Sequence, residues 1–127
     1  MEERKVYPSV VSKVLSWIIA LFGLWEFGDI VAPFIPGFGN VQAFVWNHII
    51  VGIILIIVGA RAALTNKVGT AKTMDWIATF AGVWLIIASF ILGNPLTAAG
   101  LWNDIIVGVI VLILGVWSAL VSPRVAG

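Results

Sequence analysis

Two stretches of this chain read almost alike: Trp46-Asn47-His48-Ile49-Ile50-Val51-Gly52 and Trp102-Asn103-Asp104-Ile105-Ile106-Val107-Gly108. Shared hydrophobicity alone does not bring tryptophan, asparagine and glycine into register, so the recurrence marks an internal repeat. Downstream, Gly59, Ala63 and Leu64 return as Gly115, Ala119 and Leu120 at the same offset of 56 residues. Upstream, Ala32-Pro33-Phe34-Ile35-Pro36-Gly37 returns at that offset as Ala88-Ser89-Phe90-Ile91-Leu92-Gly93. Further upstream the offset is 59, where Trp17-Ile18, Gly23 and Trp25 recur as Trp76-Ile77, Gly82 and Trp84. About half of the aligned positions are identical. The change of offset puts three extra residues between Trp25 and Ala32 of the first copy, in the stretch that carries Glu26 and Asp29.

Each copy holds two apolar runs, at about 14–34 and 46–64 in the first and 76–93 and 101–121 in the second. Runs of about 20 residues match a hydrocarbon layer of about 30 Å. The expected fold is therefore an all-α membrane protein of four transmembrane helices, one domain over residues 1–127. Its two units are helical hairpins, about 14–64 and 76–121. A unit with two crossings begins and ends on the same side, so the copies run parallel, related by a pseudo-two-fold axis along the membrane normal.

Composition excludes most alternatives. The chain has 127 residues, of which 61% are hydrophobic and 10% charged, with a mean hydropathy of +1.13. A soluble domain carries about a quarter charged residues. A formal net charge of +1 is far from the basic excess that nucleic-acid binding needs. With no cysteine, disulfides, thiolate nucleophiles, iron–sulfur ligation and c-type haem attachment are excluded together.

Arg4, Lys5, Lys13, Arg61, Lys67, Lys72 and Arg124 all precede the first span, surround the second-to-third connection, or follow the fourth. The positive-inside rule then predicts a multi-pass protein of the cell (inner) membrane with both termini cytoplasmic. Arg61 sits close enough to its span's end for its side chain to snorkel. A cleaved signal peptide is not expected, because Trp25-Glu26-Phe27 stands where small residues would be needed.

The repeats resemble the SPW-repeat family of integral membrane proteins, in which a two-helix unit carries Ser-Pro-Trp near the end of its first helix. The resemblance rests on Trp-Asn-x-Ile-Ile-x-Gly in both copies and on the Gly-x-Trp pairs ending at Trp25 and Trp84; the namesake triplet is degenerate as Ala32-Pro33-Phe34 and Ala88-Ser89-Phe90. It implies the fold and no established activity.

Gly52, Gly59 and Ala63 share one helix face, and Gly108, Gly115 and Ala119 repeat the pattern, which predicts close helix packing. Trp46, Trp102, Trp17 and Trp76 fall at interfacial positions, whereas Trp25 and Trp84 are expected between helices. Asn47 and Asn103 follow boundary tryptophans and are read as helix caps or as a pair across the axis. The remaining intramembrane polar candidates are Glu26, Asp29, His48 and Asp104. His48 can meet Asp29 on the neighbouring helix or Asp104 across the axis; otherwise these three lie solvated at the headgroups. Glu26, about 20 Å along its helix from Lys13, is the candidate for a proton or cation site or for a contact to a partner subunit.

No catalytic motif is visible, and one histidine with scattered carboxylates does not make a metal set. No cofactor is expected beyond bound lipid; a haem or pigment held axially by His48 is the remote alternative. The partners expected are the lipid bilayer and other membrane subunits or further copies of the chain, with no nucleic acid. The leading expectation is an accessory or structural membrane subunit without catalysis. The alternative is a small oligomeric proton- or cation-coupled transporter or channel using Glu26.

Overall fold

The computed structural model describes residues 6–27, 42–91, 98–121 and 123–125. Within them four helices follow in order: α1 (Val10–Glu26), α2 (Gln42–Leu64), α3 (Val68–Ile91) and α4 (Ala98–Val121). Ser9 starts α1, its hydroxyl accepting from Ser12 N at 3.0 Å and its carbonyl from Lys13 N, so two of the otherwise unpaired first-turn donors are satisfied. Between α2 and α3 only Thr65 to Lys67 intervene, held by Thr65 Oγ1 accepting from Lys67 N. Such a short connection makes α2 and α3 antiparallel neighbours.

Three helices contain segments long and apolar enough to cross a membrane: Trp46–Leu64, Val68–Ile91 and Trp102–Val121. The expected first span is described only in part, since residues 28–34 lie outside the described residues. α1 has 17 residues and ends at Glu26, with Phe27 as its cap, so it rises about 25 Å and is not among the three.

The helices stand in a square. α1 packs on α2 and α3 on α4 within the two repeats, while α2–α3 and α1–α4 form the contacts between repeats. Two short strands, β1 (Val6–Pro8) and β2 (Pro123–Val125), pair antiparallel. They bring both ends of the chain to the end of the bundle where α1 and α3 begin and α2 and α4 finish. That end is here the strand end.

The core follows the repeat. Ile19, Leu55, Leu85 and Val111 are essentially inaccessible and pack with Val51, Val58, Ala78 and Val107. Backbones approach closely at the glycines. A Cβ on Gly52 would lie 2.9 Å from Gly23 O, and one on Gly108 would lie 2.8 Å from Gly82 O. Near the strand end, a Cβ on Gly59 would meet Ser16 O and Ala20 N at 2.7 Å, and one on Gly115 would run into Thr79 Oγ1. Ala63 and Ala119 are buried beside them. The small-residue faces thus lie against α1 and α3, where Gly23 and Gly82 answer them.

Candidate functional site

Polar side chains gather at two levels inside the square, separated by the apolar layer. At the upper level, the one away from the strand end, stand Glu26 at the close of α1, His48 early in α2 and Asp104 early in α4. His48 Nε2 lies 2.7 Å from Asp104 Oδ1 and 3.3 Å from Glu26 Oε2. Glu26 and His48 are fully inaccessible and Asp104 is 2% exposed. His48 and Asp104 hold the same place in the two repeats, so their contact crosses the pseudo-two-fold axis between diagonal helices. Of the alternatives that the sequence left open for His48, the pairing with Asp104 across the axis is present, and these two groups are buried in the bundle instead of solvated. Asp29, the other partner considered for His48, lies outside the described residues.

Helix periodicity explains the convergence. His48 is one turn from Gly52, and Asp104 one turn from Gly108, so each points along the face whose glycine touches the neighbouring helix. The same close approach brings Glu26 in: a Cβ on Gly52 would lie 3.2 Å from Glu26 Cβ, and one on Gly108 would lie 3.2 Å from Leu85 Cβ. Glu26 is therefore the counterpart of Leu85 and belongs to the regular α1 register. Glu26 is thus not one of the three inserted residues. Its carboxylate faces His48 inside the bundle.

The second level was missed from the sequence. Asp75, 1% exposed, accepts from Ser118 Oγ at 2.8 Å on one carboxylate oxygen and from Ser16 Oγ at 3.1 Å on the other. Ser12 Oγ lies 2.8 Å from Ser118 Oγ. A chain of donation runs Ser12 to Ser118 to Asp75, with each hydroxyl giving its one proton once. Ser16 and Asp75 are repeat counterparts, so this contact too joins diagonal helices across the axis. The signal was available: extending the Trp17-Ile18 and Trp76-Ile77 match back by one residue pairs Ser16 with Asp75.

The asparagines and two of the tryptophans also depart from expectation. Asn47 and Asn103 lie five residues inside α2 and α4 and cap neither. Trp25 Nε1 donates to Asn103 Oδ1 at 3.0 Å, and Trp84 Nε1 donates to Asn47 Oδ1 at 2.7 Å. These symmetry-equivalent bonds each tie one repeat to the other. Trp25 and Trp84 are 60% and 43% exposed, so their rings lie along the outside of the bundle and not between helices. The indole N–H is turned toward the protein, an arrangement suited to an amphipathic ring.

Chemically, the upper level offers one imidazole nitrogen and two carboxylates, one ligand atom from each lying within 4.8 Å of the others. The sequence had left these carboxylates scattered; the fold gathers them.

A family model, the SPW repeat domain, matches residues 13–118. No curated protein and no solved structure matches the chain.

Proposed function

The chain belongs to the SPW repeat family and is a multi-pass membrane protein by its apolar helices, and from this premise we propose that it acts as an accessory or structural subunit of the inner membrane, without catalysis of its own. The observation that carries this reading is the division between inside and outside. Glu26, His48, Asp75 and Asp104 are turned inward, whereas Leu21, Leu24, Ile57, Phe80, Phe90 and Leu120 stand more than half exposed on the helices. A bundle that turns its ionisable groups inward leaves an apolar flank to lipid or to other helices.

Orientation with both termini cytoplasmic belongs to the same proposal. Lys13, Arg61, Lys67 and Lys72 all lie toward the strand end, and the positive-inside rule supports placing that end in the cytoplasm. An apolar groove lined by Ile18, Leu21, Phe22 and Trp25 on α1 suits a lipid chain or a helix of a partner.

Purification from native membranes in mild detergent tests the reading. A larger assembly with stoichiometric membrane subunits is expected. A homogeneous homo-oligomer that conducts protons or cations in liposomes overturns it in favour of transport. That second reading is supported by Glu26 itself, an interior carboxylate against His48, since ionisable groups within a membrane mark ion pathways. On it, Glu26→Gln abolishes flux while the protein still folds.

A further inference from the structure

The acids of the upper level converge on a single nitrogen. A neutral imidazole has one ring hydrogen, and at Nε2 that hydrogen cannot be directed at both Asp104 Oδ1 and Glu26 Oε2. Charge sharpens the point. No lysine or arginine occurs from residue 14 to 60 or from 73 to 123, so His48 is the one basic side chain that this half of the bundle can offer. With His48 protonated and both acids ionised, the trio keeps a formal charge of −1 in a buried place, which is costly. A divalent cation beside a neutral imidazole brings the sum to zero.

We propose that Glu26, His48 and Asp104 form a binding site for a divalent first-row transition metal, with Nε2 and one oxygen of each carboxylate as ligands. Metal–ligand bonds of about 2.0–2.2 Å place neighbouring ligand atoms about 2.9–3.5 Å apart, from right-angled to tetrahedral coordination. The Glu26–His48 separation of 3.3 Å already lies in that range. The 2.7 Å between His48 and Asp104 must open by a few tenths of an ångström, and the broad terminal torsion of an aspartate allows it. One imidazole with two carboxylates suits zinc, iron(II) or manganese(II), and three protein ligands leave further positions for water or an exogenous ligand.

The scaffold is suited to hold such a set. Each ligand sits on a different helix, within a turn of a glycine at which the backbones touch: Gly23 and Gly52 beside Glu26 and His48, Gly108 beside Asp104. The ligands thus arise from the most tightly apposed part of the bundle. The other buried carboxylate among the described residues, Asp75, has serine hydroxyls around it and serves as an internal control.

The test uses the full chain in mild detergent, treated with chelator, freed of it, and titrated with Zn²⁺. Isothermal titration should give one Zn²⁺ per chain, and Co²⁺ in its place should give visible d–d bands of low-symmetry coordination. Glu26→Gln and Asp104→Asn, close in shape to the native residues, should each weaken Zn²⁺ binding at least tenfold and alter the Co²⁺ spectrum. Asp75→Asn should bind as the native protein does. Native protein that is helical and monodisperse yet takes up no stoichiometric Zn²⁺, Mn²⁺ or Co²⁺ overturns the proposal and leaves the trio a proton site. Equal loss of binding in Asp75→Asn overturns it as well. If the two isosteric variants do not fold, the native stoichiometry and Co²⁺ spectrum still decide.

Discussion

His48 is the residue on which the interior most depends. Removing it leaves two carboxylates facing each other away from water, and breaking a buried pair of this kind costs about 3–5 kcal/mol. His48→Leu should therefore lower the unfolding midpoint in detergent sharply, whereas Asp104→Asn, which keeps a hydrogen-bonding group beside Nε2, should lower it less. The symmetry adds a stronger test. His48 and Asp104 occupy equivalent places, so the exchange of His48→Asp with Asp104→His should recover part of the stability that each single change loses. A double-mutant cycle with no coupling would mean that the 2.7 Å contact contributes nothing. Asp75 makes the complementary case. Asp75→Leu removes the carboxylate that Ser16 and Ser118 both reach; their hydroxyls can turn to the Ser12 carbonyl, at 2.9 and 3.1 Å, so the loss should stay near the ~1 kcal/mol of an ordinary hydrogen bond, and Asp75→Asn, which retains an acceptor, should be milder in the same melt.

At the scale of the helix, glycine position separates packing from propensity. A methyl group on Gly59 would collide with the α1 backbone at Ser16 and Ala20, while one on Gly69 meets nothing within 4 Å. Gly59→Ala should consequently destabilise the protein. Gly69→Ala, early in α3, should leave the melting temperature unchanged or raise it, because alanine favours helix by up to about 1 kcal/mol. Gly59→Leu and Gly115→Leu should cost about 2 kcal/mol or more through overpacking, and far more than the volume-conserving Ile54→Leu. Thermal melts in one detergent check the whole series; tolerance of leucine at both glycines would place those faces against lipid. The helix pairs were legible because small residues recurring on one helix face, at spacings of seven and four, have one economical use in a bilayer. The asparagines were misread because a tryptophan before them resembled a boundary, and the sequence carries no mark of the five helical residues that precede each one.

For the molecule as a whole, reporter fusions after Thr70 and at the C-terminus should both report cytoplasm, and one between Gly93 and Leu101 the opposite side. An outward reporter at Thr70 would reverse the orientation drawn from the basic residues. The family, the all-helical class and the pairing of helices within each repeat were determined by the sequence alone. Long apolar runs have few other solutions in a membrane, and coincident tryptophans, asparagines and glycines identify a repeat regardless of how its copies dock. Docking decided the rest. Whether His48 meets Asp29 or Asp104, and whether Ser16 reaches Asp75, depends on the rotation of four helices about a shared axis, a property that no single segment encodes. A residue on a pseudo-two-fold axis meets its own counterpart, 56 or 59 positions away. The two copies have diverged at those places into unlike pairs, histidine with aspartate and serine with aspartate, and so avoid the repulsion of like acids. The glycine contacts set the helix separation at which these pairs, together with Glu26, can close. Only the tertiary structure brings the three ionisable groups onto one point, because their proximity is a consequence of packing distance and helix rotation together.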